Sequence, residues 1–318
     1  MRSVAFILFP KFSMIGLTGV LEPLRLVNRF ADRQEFSWRF VSSDGEPVAA
    51  SNGIPVSADE SIANMVRPDI AIFCASYEVD RAVSSPVLAC ARRLAREGVV
   101  LGAVDSAQFI LAAAGVLNGY KTAAHWETTA GLKETYPALE VSDAAYEIDR
   151  GRMTAATGAA AIDMMLAYIA KALGPRQSVY AAEQLGHRPV PGAASEARLP
   201  PDIRYQVTHP RLVTILRSME EHGEEVLSTS ELAEAGGISV RQMERLFAQH
   251  LGEPPRRFYR RLRLERAWRL LIYSKLSVTG VAMACGFTSV AEFSRAYKQL
   301  YGEPPTRHRR RVVSPGLY

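Results

Sequence analysis

Two stretches combine residue types and spacings that could do chemistry. The first is Gly102–Leu117 (GAVDSAQFILAAAGVL), followed by Gly119 and then by His125-Trp126-Glu127. An apolar run, Val99–Val104, passes straight into Asp105-Ser106 and a helical stretch, Ala107–Leu117. A strand that turns this abruptly into a helix lifts its turn residue above the sheet, beside free N–H groups at the helix start. Enzymes use that geometry for a nucleophile and its oxyanion hole. The residue lifted here is Asp105. Ser106 could act only with a positioned base, and Val104-Asp105-Ser106-Ala107-Gln108 is not a G-x-S-x-G elbow. A carboxylate in a concave site instead favours a cationic ligand group. Trp126 and Tyr77 can add cation–π attraction of about 0.5–2 kcal/mol each, while the N–H groups of Ala107 and Gln108 can hold a carboxylate. The reading is a pocket for a zwitterion, an amino acid or a betaine-like amine, lined by Asp105, Ser106, Trp126, Tyr77 and His125. Each residue also has a plainer use. Asp105 can cap its helix, Trp126 can pack in a core, His125 can bond a backbone carbonyl, and Glu22 can pair with Arg25.

The second stretch, Leu227–Pro305, says the same thing twice. Leu232-Ala233, Gly237-Ile238, Met243, Arg245, Phe247, Gly252 and Glu253-Pro254-Pro255 are matched by Val281-Ala282, Gly286-Phe287, Phe293, Arg295, Tyr297, Gly302 and Glu303-Pro304-Pro305. The offset is 49 residues up to the glycines and 50 from the arginines on. Each copy reads as a short helix, a turn at glycine and a second helix, which is a helix-turn-helix. With Met243, Leu246 and Phe247 facing inward, Arg241, Gln242, Glu244 and Arg245 face outward. In the second copy Phe293, Ala296 and Tyr297 face inward, leaving Val290, Ala291, Ser294 and Arg295 outside. An exposed second helix of this kind enters a major groove. Between the copies Arg256–Ser274 reads as one long helix, on which Arg256, Arg257, Arg260 and Arg261 can touch phosphates. A rigid connector lets one chain read two grooves on one face of the duplex, about 34–36 Å apart.

The elements that must position these residues follow from the apolar pattern. Ser3–Phe9, Glu35–Ser42, Asp69–Cys74 and Val99–Val104 read as strands, and Ile15–Phe30, Ser85–Gly98 and Ala159–Leu173 as helices. The alternation predicts a doubly wound α/β domain with a parallel sheet. Ligand sites in such folds lie at the carboxyl ends of the strands, here Phe9–Ser13, Cys74–Glu78 and Val104–Ala107. His187–Pro210 carries Pro189, Pro191, Gly192, Pro200, Pro201 and Pro210 and reads as a linker. The expected domains are 1–186, a linker 187–210 and an all-α domain 211–318.

Composition agrees with this division. Of 318 residues 48% are apolar, which supports globular folding, and the length suggests two domains. From Pro201 onward there are 19 Lys and Arg against 12 Asp and Glu, whereas the first 200 residues hold 19 against 21. Only the C-terminal part is built to meet a polyanion. No apolar run approaches the ~20 residues that span a bilayer, and Val4–Phe9 is too short for a signal peptide. Cys74, Cys90 and Cys285 have no metal spacing and suit a reduced cytoplasm. No metal and no cofactor is called for.

The run from SELAEAGGISVRQMERLF through RRLRLERAWRLL to VAMACGFTSVAEFSRAYKQLYGEPP resembles the AraC/XylS transcription regulators over roughly the last 100 residues. Residues 3–170, with their elbow, LAAAGVL helix and His125-Trp126 pair, resemble the class I glutamine amidotransferase-like superfamily that includes PfpI-type proteases. That family usually carries a cysteine where this chain has Asp105, and its supporting acid falls at Gly16. The resemblance implies a flavodoxin-like sensor joined to a double helix-turn-helix domain. Base contacts would fall on Arg241, Glu244 and Arg245, then on Ala291, Ser294 and Arg295. Regulators with Asp at the elbow resemble those of betaine, carnitine and arginine catabolism. The partners implied are double-stranded DNA, a small-molecule effector, a second copy paired through the N-terminal domain, and RNA polymerase, with no membrane. The expected function is activation of a catabolic operon. The alternative is an amidotransferase-like hydrolase fused to a DNA-binding domain.

Overall fold

Strand β1 (Arg2–Leu8) is buried along most of its length: Val4, Phe6 and Leu8 join one apolar cluster, and Ala5 and Ile7 on the opposite face are also fully covered. A strand covered on both faces reads as a continuous apolar run, and this one does. The computed structural model describes residues 1–31, 33–188 and 198–313; Pro189, Pro191 and Gly192 of the expected linker lie outside the described residues. The chain divides into two compact units, residues 1–129 with 136–198 and residues 130–135 with 199 onward.

In the first unit β1 is followed by α1 (Met14–Phe30), β2 (Phe36–Ser42), the short strands β3 (Val48–Ala49), β4 (Pro55–Val56) and β5 (Glu60–Ser61), and β6 (Ile70–Ala75). Then come α2 (Val79–Ala82), α3 (Ser85–Arg96), β7 (Val100–Asp105), α4 (Gln108–Ala113), β8 (Lys121–Ala123) and α5 (Thr129–Thr135), whose residues 130–135 group with the second unit. Strands β9 (Glu140–Ser142), β10 (Tyr146–Asp149) and β11 (Arg152–Ala155) precede α6 (Gly158–Leu173) and α7 (Pro175–Leu185). The main sheet has the order β10-β11-β7-β6-β1-β2-β5 and is parallel except for the β10–β11 hairpin. This is the flavodoxin-like α/β fold, and it brings the carboxyl ends of β1, β6 and β7 side by side.

Some details differ from the sequence reading. The helix expected over Ala107–Leu117 ends at Ala113, because Gly115 takes a left-handed φ of 74° and turns the chain. Helix α7 was not expected; its Pro175 start and Gly186 C-cap frame it, and it packs on α1 and α6.

The second unit contains α8 (Pro201–Arg204), α9 (Pro210–Glu221), α10 (Thr229–Ala235), α11 (Val240–Leu251), α12 (Pro255–Tyr273), α13 (Val278–Ala284), α14 (Val290–Tyr301) and α15 (Pro305–Val313). Residues 199–210, expected within the linker, instead pack on α9. Val207 is fully buried, and Arg204 and the Tyr205 hydroxyl both bond Glu220. Helix α12 divides its apolar residues between two cores. Phe258, Tyr259 and Leu262 join Met243 and Phe247 of the first copy, while Leu264, Ala267, Leu270 and Leu271 join Phe293 and Tyr297 of the second. The connector is therefore part of both copies. Reciprocal capping boxes at Ser228–Glu231 and Ser239–Gln242 start α10 and α11. The repeat also extends one helix further than the motif. Phe258 stacks edge-on against Phe247, and fifty residues on His308 does the same with Tyr297 while its Nδ1 bonds the Tyr297 hydroxyl at 2.9 Å.

Candidate functional site

Lys11, Glu78 and Asp105 follow or end β1, β6 and β7, and all three hold left-handed backbones with φ of 60°, 56° and 63°. That conformation costs a non-glycine residue about 1–3 kcal/mol, and it persists only where the surroundings impose it. At Asp105 the surroundings are visible. The Ser106 amide donates to Ala75 O at 3.0 Å, and the Phe109 amide to Ser106 O at 3.1 Å. The turn is thus locked to β6 on one side and to α4 on the other. Gln108 holds it from beneath, its Nε2 donating to Ala123 O and Ala155 O at 3.1 and 2.9 Å.

The Asp105 carboxylate is largely removed from solvent. Burial pushes its pKa up, against the opposing effects of a hydrogen bond from Ser76, the proximity of His125 and a hydrogen bond from Ser106; Glu127 adds to the rise. The Ser106 hydroxyl, itself buried, lies 3.4 Å from Asp105 Oδ1. His125 and Trp126 stand as neighbours with ring centroids 5.5 Å apart. The structure thus brings Asp105, Ser106 and His125 together, with Trp126 beside them. Tyr77 is exposed on the loop that carries Ser76. Sequence reasoning missed Ser76 and the ion pair of Lys11 with Glu78, which also pairs with Arg81. Both lie on strand ends already singled out, so position was legible and pairing was not.

Two plainer uses are settled. Helix α4 has Ala107 as its N-cap with no side-chain cap bond, so Asp105 does not cap it. His125 accepts the Glu127 amide at Nδ1, 3.3 Å, rather than bonding a carbonyl with that nitrogen. One expectation is corrected. The Ala107 amide is committed to Val104 O at 3.3 Å, so it is not free for a ligand carboxylate.

The position of the missing acid is also informative. A Cβ on Gly16 would sit 2.8 Å from Val104 Cγ1, and one on Gly158 would sit 2.8 Å from the Gly16 amide nitrogen. The start of α1 is packed so closely against β7 and α6 that only glycine fits there unchanged. Ser13 caps that helix through the Gly16 amide.

In the second unit Arg241, Gln242, Glu244 and Arg245 are exposed on α11, with Met243, Leu246 and Phe247 buried behind them. On α14 Val290, Ala291 and Arg295 are exposed and Ser294 is half-buried. Gln242 Oε1 is engaged by the Ser239 amide and hydroxyl, so its cap role shares the residue with any base contact. On α12 Arg256, Arg257 and Arg260 are exposed, but Arg261 is bound to both Glu253 and Glu265 at 2.9 and 2.8 Å. Of the four expected phosphate contacts, Arg261 is a structural brace.

Among the described residues no helix is long and apolar enough to cross a membrane, and no cluster of His, Cys, Asp or Glu could hold a metal ion. A flavodoxin-like domain with a strained acidic elbow, joined to two helix-turn-helix motifs on a shared connector, defines a DNA-binding regulator with an α/β domain. The DJ-1/PfpI family profile matches residues 2–171, and a helix-turn-helix domain profile matches 232–311. The chain is 41% identical to the HTH-type transcriptional regulator CdhR of Pseudomonas aeruginosa, over 89% of this chain and 84% of that one. It is 35% identical to the HTH-type transcriptional regulator GbdR of the same species, over 90% and 78%. The crystal structure of an AraC family transcriptional regulator from Pseudomonas putida aligns with a TM-score of 0.54 at 28% identity, covering 58% of this chain and all of that one. The chain belongs to the AraC-family helix-turn-helix regulators that carry an N-terminal DJ-1/PfpI domain, and regulators of this family bind DNA.

Proposed function

We propose that this regulator senses a small cationic or zwitterionic metabolite at the strand ends of its first unit and activates transcription through its second. The observation that carries this reading is Asp105: a carboxylate held in a strained left-handed turn, largely desolvated, with Trp126 and His125 beside it. Desolvation makes an ionised carboxylate costly, and a bound cation would offset that cost. Ser76 and Ser106 orient the carboxylate, and Trp126 and the exposed Tyr77 offer aromatic faces to a quaternary ammonium or guanidinium group. A ligand carboxylate would find Lys11 after the end of β1, two strands across from Asp105, in competition with Glu78. A betaine, carnitine or arginine-like molecule has this charge pattern.

On the DNA side, Arg241, Glu244 and Arg245, with Gln242, read one major groove, and Ala291, Ser294 and Arg295 the next. Copy one carries more of the base discrimination, since its side chains are longer and polar. Pairing of two chains through the first unit, a contact with RNA polymerase and a cytoplasmic site of action complete the proposal.

The hydrolase alternative lacks its parts. The Ser106 hydroxyl turns to Asp105, the nearby imidazole accepts a backbone amide at Nδ1, and Gly16 occupies the place of the acid. Calorimetric titration of glycine betaine, carnitine and arginine into the wild type and Asp105→Asn decides the matter. Saturable binding lost in the variant, with the DNA footprint retained, is the expected result. Amide or peptide turnover abolished by Asp105→Asn would instead establish the enzyme.

A further inference from the structure

The aromatic face offered to an effector already has an occupant. The guanidinium of Arg198 lies over the Trp126 ring, 4.5 Å from its centroid. Other arginines of this unit stack within its folded elements or hairpins, as Arg150 and Arg152 do on Tyr120 and Arg176 on Phe30. Arg198 differs in place: it is the last residue of the first unit, and Leu199 begins the second. Trp126 is likewise followed, four residues on, by 130–135, which also belong to the second unit. Arg198 is thus bonded directly to the first residue of the second unit, and Trp126 lies four residues before the 130–135 segment.

We propose that Arg198 is an internal competitor for the cation subsite, standing on Trp126 until an effector's guanidinium or quaternary ammonium group displaces it. The inference rests on the effector reading above and adds to it the ligand's competitor and the point where binding is felt. A guanidinium is planar, weakly hydrated and suited to stacking on an indole, so the chain's own cation marks the class of group the face accepts. A site occupied by its own chain for part of the time binds an external ligand more weakly by that fraction. By linkage, the ligand lowers the occupancy of Arg198 to the same degree. Displacement frees Arg198, the residue bonded to the first residue of the second unit.

The test uses the full chain with 5-fluorotryptophan at Trp38, Trp126 and Trp268, the Trp126 fluorine resonance being assigned from Trp126→Phe. Tetramethylammonium and glycine betaine are titrated into the wild type, Arg198→Ala and Arg198→Gln, and thermal melts check that each variant is folded. In the absence of any probe, the Trp126 resonance is expected to move in both variants. The half-saturating probe concentration is expected to fall by about 2- to 30-fold, the factor of a cation–π contact. An unmoved resonance, or equal affinity in wild type and variants, overturns the competitor while leaving the effector reading in place. If neither probe perturbs Trp126 in any of the three proteins, the effector reading fails and the competitor falls with it.

Discussion

Asp105 concentrates two costs in one residue, a left-handed backbone and a desolvated carboxyl group. Burial raises its pKa above the unfolded value, so the folded chain holds the proton more tightly than the unfolded one. Stability from this group is therefore full below the unfolded pKa, falls as pH rises between the two values, and stays lower above the folded one. Asn keeps the shape, tolerates the left-handed region and removes the charge. Asp105→Asn should raise stability at neutral pH by about 0.5–2 kcal/mol, as substitutions that relieve functional strain do, with the gain vanishing as the pH falls below the ordinary aspartate value of about 3.9. Thermal melts of both proteins across that range check it, and a loss of stability at pH 7 would mean the carboxylate is a structural brace. The opposite logic holds on α11, where nothing is strained and the side chains stand in solvent. Arg241→Ala or Arg245→Ala should weaken specific DNA binding by about 1–3 kcal/mol if the contact is bidentate to guanine, and Ser294→Ala should cost less. Quantitative footprinting on a binding site selected in vitro with the wild-type protein reads both effects; unchanged affinity in the two arginine variants would remove α11 as the reader.

At the scale of elements, α1 and α6 meet start to start, and the contact leaves no room for a methyl group. A Cβ at Gly158 would lie 2.4 Å from Ile15 Cγ2 and 2.8 Å from the Gly16 amide nitrogen. The first atom can turn away, but the second is backbone and cannot. Gly158→Ala should cost about 1–3 kcal/mol, measured as a lower unfolding midpoint of the first unit, whereas a neutral result would show that α6 can slide. This contact also explains what could be read in advance. The apolar runs of β1, β6 and β7 name their strands because both faces are buried, and the Met243-Leu246-Phe247 spacing names the inner face of α11. Those signals are periodic and local. Helix α7, the packing of residues 199–210 on α9 and the engagement of Arg261 by Glu253 and Glu265 depend on partners distant in sequence or in other turns. So do the Ser76 and Glu78 contacts at the strand ends. Asp105 was identified from its turn, yet its strain and its freedom from capping duty required coordinates.

At the scale of the molecule, the division of charge and the shared connector assign different work to the two parts. The excess of Lys and Arg beyond Pro201 makes DNA attraction a property of the second unit. Helix α12 contributes side chains to the cores of both helix-turn-helix copies, so α11 and α14 cannot shift independently without breaking one core. A rigid pair of readers should demand a fixed phase between the two half-sites. Five base pairs inserted between the sequences read by α11 and α14 turn the second groove to the far side of the duplex, since one helical turn is about 10–10.5 base pairs. Copy two would then lose its base contacts, each worth about 1–3 kcal/mol. The affinity of the full chain should fall at least tenfold and its footprint should shrink to the half-site of copy one. Because that half carries Arg241, Glu244 and Arg245, mutating its bases should cost more than mutating those of the other half. A chain that binds the spaced and native sites equally well would show that the connector bends, and the two copies would then be independent readers joined by a hinge.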